Sequence, residues 1–204
     1  MGSKSTSEAR VVAAATRLYA EHGFETPLAR IARAARVSPA ALQRRFGSAK
    51  KLRERVFAGS FTGRWKPEWE ALLRDRRLPL EERLVRFFSE YRGNITRTNA
   101  RLWTRAGLLG THRSGNFGAT LAKRVLMPIA RELRHFAGVG KSRRALSGRE
   151  IELVQMLHGA IAFPHTRGHI FGMRVIGRLP DLVAMMVRVW LPGAKAEMRR
   201  LHSG

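Results

Sequence analysis

The sequence contains no cysteine. Disulfide frameworks, thiolate metal sites and cysteine nucleophiles are therefore excluded as explanations of its fold or its chemistry. No run of about 18 uninterrupted apolar residues occurs, so we expect no membrane-spanning helix. The N-terminal MGSKSTSEAR also lacks the apolar stretch of a secretory signal. Together these absences predict a protein that works in the cytoplasm.

Acidic residues are scarce. The 204 residues include 15 Asp and Glu against 39 Lys and Arg, which gives a net charge of +24. Such a surplus favours a polyanionic partner, most simply a nucleic acid. The surplus is +7 in residues 1–52 and +17 in residues 53–204. Because it extends over the whole chain, the charge alone does not locate the contact.

Helical periodicity dominates the chain, and no long segment alternates like a β-strand, so the predicted fold class is all-α. The apolar spacing predicts a first helix over residues 7–22, which Gly23 ends. A second helix is expected to begin at Thr26 and Pro27, with the threonine as its cap, and to end near Ala35.

The stretch VSPAALQRRF predicts a third helix with a sharply defined start. Ser38 suits the N-cap and Pro39 the first turn, while Val37 and Leu42 occupy the positions of a hydrophobic staple. Leu42 and Phe46 share one face, which we expect to pack against the first two helices. About three residues separate the second helix from the third, and two helices joined so tightly form a helix-turn-helix.

In a helix-turn-helix, the second helix of the pair lies in the major groove of DNA. Gln43 could then bond an adenine edge, Arg44 or Arg45 could bond a guanine or a phosphate, and Ala41 could contact a thymine methyl. Taken alone, Gln43, Arg44 and Arg45 are explained equally well as the solvated face of a surface helix. The tight turn, the cap, the staple and the positive charge agree with one another and favour DNA contact.

Residues 10–52 resemble the DNA-binding domain of the TetR family of transcriptional regulators. The residues that carry the resemblance are Ala15, Leu18, Tyr19, Gly23, Phe24, Thr26, Ile31, Ala32, Ala34, Ala35, Arg36, Val37, Ser38, Leu42, Phe46 and Leu52. The family usually has glycine in the turn, where this chain has Arg36. It usually has tyrosine and histidine where this chain has Gln43 and Arg45, and a lysine where it has Ala49. Phosphate contact is therefore expected from Arg45 or the neighbouring lysines.

The resemblance implies a homodimer on a palindromic operator of double-stranded DNA, with a helix-turn-helix domain over residues 7–50. It also implies a larger helical-bundle domain over residues 51–204 that binds a small-molecule effector and dimerises; the aromatic residues named below suggest that the effector is largely apolar. The predicted DNA-contacting residues are Thr26, Arg30, Ser38, Pro39, Ala40, Ala41, Gln43, Arg44, Arg45, Lys50 and Lys51.

Beyond Phe46 the pattern predicts further helices: one long helix from about Ser48 toward Leu73, another from Pro79, and others over 97–109 and up to Phe136. Residues 110–118 and 138–148 are expected to be loops. The closing helices, over 149–166 and 179–191, are apolar on more than one face and so need burial on two sides. A partner subunit would cover one side; burial of both sides within a single copy is the alternative.

The predicted dimer interface and ligand pocket follow from these helices. The interface residues are Ile151, Val154, His158, Ile161, Leu182, Met186, Val189 and Trp190. The predicted pocket is lined by aromatic side chains, each of which, taken individually, is more often part of a core; as a group they are the best candidates for a pocket. They are Trp65, Trp69, Phe87, Phe88, Tyr91, Trp103 and Phe136.

Two other motifs carry little weight. GVGKS at 138–142 ends like a phosphate-binding loop, but the residues before it are predicted helix rather than strand. His165 and His169 have metal-chelating spacing, but Pro164 and Gly168 are expected to break the helix there, and no carboxylate stands near.

We expect no metal, no cofactor and no catalysis. The predicted function is a ligand-responsive repressor; the alternative is a basic protein that binds nucleic acid without sequence specificity.

Overall fold

The computed structural model describes residues 2–61, 65–93, 95–109, 117–140 and 144–203. These residues form helices joined by turns and contain no β-strand, so the predicted all-α fold class is confirmed. The first helices along the chain are α1 (Gly2–His22), α2 (Leu28–Ala34), α3 (Pro39–Phe46) and α4 (Ala49–Phe61). Next come α5 (Pro67–Arg74), α6 (Leu80–Gly93) and α7 (Arg97–Leu108).

The later helices include an irregular segment. α8 (Phe117–Leu121) passes into a wide π-helical turn over Ala122–Leu126, and α9 (Met127–Phe136) follows directly. Two 22-residue helices come last, α10 (Gly148–His169) and α11 (Leu179–Arg200). Most of the predicted loop at 110–118 lies outside the described residues. Within the described ranges, no helix combines the length and apolar character needed to cross a membrane.

The chain divides into two compact units. The N-terminal unit comprises residues 1–65 and 96–117, and the C-terminal unit comprises residues 66–95 and 118–204. The N-terminal unit therefore includes α7, a helix that lies far beyond the predicted helix-turn-helix domain. The predicted division into a domain over residues 7–50 and a domain over residues 51–204 concerns parts that fold independently. It stays a prediction.

The core of the N-terminal unit is built where α1 meets α2, α4 and α7. Tyr19, Ile31, Leu42 and Leu52 are among its fully buried side chains. Leu42 and Phe46 join the same cluster as Ile31 and α1, as their four-residue spacing predicts. Burying one such large apolar side chain stabilises the folded state by about 1.5–3 kcal/mol. Burial of Leu42 and Phe46 therefore fixes the rotation of α3 about its axis.

Three helix boundaries differ from the sequence prediction. The long helix expected from Ser48 to Leu73 is interrupted, and α5 begins only at Pro67, whose ring cannot continue a preceding helix. By contrast, α10 continues through Pro164 and Gly168, and α11 continues through Pro192 to Arg200. Each of these prolines removes one backbone hydrogen bond, and the packing of α10 on α11, α6 and α9 offsets that loss.

Buried ion pairs hold the C-terminal unit together. Glu132 on α9 is buried and accepts hydrogen bonds from Arg83 on α6 (2.8 Å) and from Arg76 (3.0 and 3.1 Å). Burial alone raises the pKa of Glu132, but the hydrogen bonds from these two arginines lower it by more, so the net shift is downward. A second buried pair joins Arg134 on α9 to Glu150 on α10.

We expect Glu132→Ala to destabilise the protein strongly. The change leaves the buried Arg83 without its counter-ion, which costs about 3–5 kcal/mol. Because the pKa of Glu132 is lowered on folding, its stabilising contribution is present above the usual carboxyl pKa and lost as the pH falls through the folded value. Urea unfolding from pH 3 to pH 7 measures both effects.

The matched control for this prediction is Glu82→Ala. Glu82 forms an exposed pair with Arg86, four residues along α6. Such pairs contribute about 0.3–0.5 kcal/mol. Equal losses in Glu132→Ala and Glu82→Ala would show that the buried pair does not stabilise the C-terminal unit.

Candidate nucleic-acid interface

The turn between α2 and α3 has a left-handed residue that is not glycine. Arg36 has φ 55°. The Arg36 N–H donates to the carbonyl of Arg33 (3.1 Å) and the Val37 N–H donates to the carbonyl of Ala32 (3.0 Å). These two bonds form a Schellman motif, which reverses the chain at once and satisfies the last carbonyls of α2. Arginine therefore occupies the position where glycine is usual.

The start of α3 is as the sequence predicts. Ser38 is the N-cap, and its hydroxyl accepts a hydrogen bond from the Ala41 N–H (3.1 Å). Pro39 occupies the first turn, where its missing N–H costs nothing. Val37 is partly buried against the core that contains Leu42, as a hydrophobic staple requires. The start of α2 differs, because Pro27 rather than Thr26 takes its N-cap position and no side chain caps the helix.

Arg44 is the side chain of α3 that points most directly away from the core. Helical geometry puts Arg44 and Ala40, two residues to either side of the buried Leu42, each about 160° around α3 from it. Both residues are exposed, and so are Ser38 and Pro39. Among the described residues no hydrogen bond or ion pair engages the Arg44 guanidinium. The small side chain of Ala40 lets another molecule approach the helix backbone closely.

Gln43 and Arg45 flank Arg44 and are already engaged. The Gln43 amide Nε2 donates to the carbonyl of Gly47 (2.6 Å) just beyond the end of α3. The Arg45 guanidinium lies 3.7 Å from the carboxylate of Glu8 on α1, and Arg55 shares that carboxylate at 2.9 Å. Glu8 was not among the predicted residues, since no local pattern links it to α3. Two of the three polar side chains of α3 that were predicted to contact DNA therefore interact with residues of the N-terminal unit itself.

The other predicted DNA-contacting residues differ in accessibility. Thr26 is buried, and its hydroxyl donates to the carbonyl of Gly23 (2.7 Å), so it offers nothing to a partner. Arg30 is exposed and donates to the His22 Nε2 (2.9 Å). Lys50 and Lys51 are exposed at the start of α4, and Ala41 is half-buried.

The charged residues around the helix-turn-helix are all basic. Residues 26–53 contain eight arginines and lysines and no acidic residue. Five of these cations lie on α2, on α3 and in the turn between them, at Arg30, Arg33, Arg36, Arg44 and Arg45. A helix-turn-helix with such a charge distribution suits the phosphate backbone of DNA.

The aromatic residues of the predicted pocket fall into separate groups. Trp69, Phe87 and Tyr91 form a cluster in the C-terminal unit, with ring centroids 5.2–5.9 Å apart. Phe88 adjoins this cluster, 5.0 Å from Phe87. Phe136 is partly exposed on α9, with the Lys195 ammonium 4.6 Å from its ring. The remaining two, Trp65 and Trp103, belong to the N-terminal unit.

The predicted dimer-interface residues also divide. Val154, His158 and Ile161 are buried within the protomer, and Ile151 is half-buried, as are Leu182, Met186 and Trp190. The Trp190 indole donates to the carbonyl of Leu153 (3.0 Å), which ties α11 to α10. Val189 is 78% exposed. For the buried three, no surface remains for a partner to cover; the exposed apolar residues of α10 are instead Met156 and Phe163.

The metal spacing on α10 does not develop into a site. The rings of His165 and His169 lie 5.9 Å apart on a continuous helix. Among the residues that the structure describes, no group of three or more His, Asp or Glu side chains is arranged to hold a metal ion.

These observations define an all-helical protein with an N-terminal helix-turn-helix. The family of bacterial regulatory proteins called the tetR family matches residues 11–56, which cover α1 beyond its first turns, α2, α3 and half of α4. The predicted resemblance is thereby confirmed for this N-terminal segment, which matches the DNA-binding domain of TetR-family regulators. A search of curated proteins gave no match.

Two solved structures support the fold over nearly the whole chain. A TetR-family transcriptional regulator from Mesorhizobium loti is 13% identical, with a TM-score of 0.62, and the match covers 95% of this chain and 98% of that one. A mutant of HlyIIR is 18% identical, with a TM-score of 0.62, covering 89% of this chain and 97% of that one. At these identities the likeness establishes a common fold.

We expect Arg36→Gly to stabilise the protein by about 0.5–1 kcal/mol. A left-handed conformation costs a residue with a Cβ roughly 1–2 kcal/mol, and the greater freedom of glycine in the unfolded chain removes part of that gain. Arg36→Ala is the control, because it removes the same charge but keeps the Cβ. Thermal unfolding would contradict the interpretation if both variants shifted the midpoint equally.

Proposed function

We propose that this protein is a repressor that binds a palindromic operator as a homodimer and is released by a small-molecule effector. The observation that carries the DNA-binding part of the proposal is the outward-facing Arg44. It lies on a capped helix whose rotation is fixed by its buried side chains, in a segment whose charged residues are all basic. A dimer would present two copies of α3 about one DNA turn apart, which matches the symmetry of a palindrome.

Within α3 we assign different roles to the three polar residues. Arg44 reads a base edge, most simply the O6 and N7 of a guanine, because its guanidinium is exposed. Gln43 maintains the end of α3 through its bond to Gly47. Arg45 is oriented by Glu8 and contributes charge toward phosphate. Lys50 and Lys51 add phosphate contacts from the start of α4.

Dimerisation is supported by exposed apolar side chains on the last two helices. Met156 and Phe163 lie seven residues apart on α10, and Met185 and Val189 lie four residues apart on α11. Each pair shares one face of its helix, and α10 packs against α11. An apolar surface of this kind on a protein in water marks an interaction site. A second copy of the same two helices would cover it in a symmetric interface.

Effector binding is assigned to the C-terminal unit. Its aromatic cluster of Trp69, Phe87 and Tyr91 supplies large, rigid apolar surfaces of the type that line small-molecule pockets. For release to occur, the effector must bind the conformation that does not bind DNA more tightly than the one that does.

The second candidate function is binding to nucleic acid without sequence preference. The observation that favours it is the surplus of +17 in residues 53–204, which the recognition of an operator by α3 does not use. This alternative predicts equal affinity for every duplex and a steep dependence on salt.

The experiment compares Arg44→Ala with the unmodified protein on two DNAs. One is a palindrome selected from a random pool, and the other is a random duplex of equal length. A base contact contributes about 1–3 kcal/mol of discrimination, so we expect affinity for the palindrome to fall roughly 5- to 150-fold. Affinity for the random duplex should fall much less. Fluorescence anisotropy at several salt concentrations measures both.

Arg131→Ala is the matched control, because Arg131 is an exposed arginine of α9 in the C-terminal unit. It removes the same charge and should leave discrimination unchanged. If the pool yields no preferred sequence, or if Arg44→Ala and Arg131→Ala lose the same affinity on both DNAs, non-specific binding is the correct function.

A further inference from the structure

Arg92, in the last turn of α6, is a buried cation without a counter-ion. The residue is only 7% exposed, its guanidinium carbon lies 6.0 Å from the centroid of the Tyr91 ring, and its Nε has no hydrogen-bond partner. Among the described residues no carboxylate pairs with it. The other buried arginines of the same unit differ in having a counter-ion: Arg83, whose Nε is also without a hydrogen-bond partner, pairs with Glu132, and Arg134 pairs with Glu150. Burying a charge costs several kcal/mol unless it is paired, so Arg92 is the exception in this unit.

Two histidines of α10 have unsatisfied nitrogens in the same neighbourhood. The Nε2 atoms of His158 and His165 are buried without hydrogen-bond partners. These residues are seven apart and therefore share one face of α10. Burial and the nearby charge of Arg92 lower the pKa of each histidine to about 4. Both rings are consequently neutral at neutral pH, and each has one N–H to donate.

Apolar surface adjoins this polar cluster. The Tyr91 ring lies 6.3 Å from the His158 ring and is stacked on Phe87 (5.2 Å). Trp69 packs edge-on against both Phe87 and Tyr91. A ligand that reaches Arg92 would thus have a charged end among N–H donors and an uncharged body beside aromatic rings.

We propose that Arg92, together with His158 and His165, binds the carboxylate of an effector whose remaining body is apolar. This assignment rests on the proposed function, in which the C-terminal unit binds an effector, and adds the chemical class. A guanidinium bonds a carboxylate through two parallel N–H donors, which is among the strongest neutral-pH pairings in proteins. A single uncompensated positive charge matches a monoanion, whereas a phosphate dianion would bring a second charge without a partner.

A purely structural role for Arg92 makes the opposite prediction about stability. The end of α6 carries a partial negative charge, which a cation there stabilises by about 0.3–1 kcal/mol. If that were the function of Arg92, Arg92→Met would destabilise the protein. If Arg92 serves a ligand, the ligand-free Arg92→Met variant should unfold at the same temperature as the unmodified protein or higher, because an unpaired buried charge has been removed.

The binding test uses matched acids and amides at pH 7.5. Phenylacetate and decanoate are titrated into the full-length protein beside phenylacetamide and decanamide, with calorimetry and thermal unfolding as readouts. We expect an acid to bind and raise the unfolding temperature while its uncharged amide does not. Arg92→Met should weaken acid binding at least tenfold. Arg86→Met, which removes an exposed arginine from the same helix, should bind as the unmodified protein does.

Besides destabilisation of ligand-free Arg92→Met, three results of the binding test would overturn the assignment: equal binding of an acid and its amide, unchanged acid binding by Arg92→Met, or no binding of either acid. Measuring operator affinity with the acid present separates this inference from the proposed function. An acid that binds through Arg92 without weakening DNA binding supports the carboxylate site and contradicts effector-released repression. An amide that weakens DNA binding supports effector release and contradicts the carboxylate site.

Discussion

The reversal of the chain between α2 and α3 is the constraint on which the DNA-binding surface depends. Within a few residues, the turn must end one helix and begin another while every backbone group stays bonded. Two main-chain bonds around Arg36 satisfy the end of α2, and the Ser38 hydroxyl satisfies the start of α3. Burial of Leu42 and Phe46 then fixes the rotation of α3. Only with the turn and this rotation both set does Arg44 have a defined outward direction.

Much of this geometry can be predicted from sequence because its causes are local. The cap at Ser38, the proline beside it and the four-residue spacing of Leu42 and Phe46 each act within a single helical turn, and the structure has all three. The roles of Gln43 and Arg45 could not be predicted in the same way. One bonds beyond the end of its own helix, and the other meets Glu8, which is distant in sequence. The sequence pattern of a surface helix is the same whether its polar side chains are bonded within the protein or are available to a partner.

The same distinction between local and long-range causes explains the helix boundaries. The helix predicted over 48–73 is interrupted before Pro67, whereas Pro164 and Pro192 lie inside helices that pack against several neighbours. A proline therefore ends a helix or not according to tertiary packing, which a single sequence does not show. Arg92 was missed for a related reason: its lack of a counter-ion is evident only beside the paired arginines of the same unit.

The proposed ligand site at Arg92 lies close along the chain to the N-terminal unit. Arg92 lies in the last turn of α6, which ends at Gly93, and α7 begins at Arg97 with Thr96 as its cap. α7 belongs to the N-terminal unit, where the Arg105 guanidinium donates to the carbonyls of Ala20 and Glu21 at the end of α1. A ligand bound at Arg92 would act on the end of α6, a few residues along the chain from α7, which packs on α1. A difference of about 1–3 kcal/mol between two conformations is enough for typical coupling of this kind.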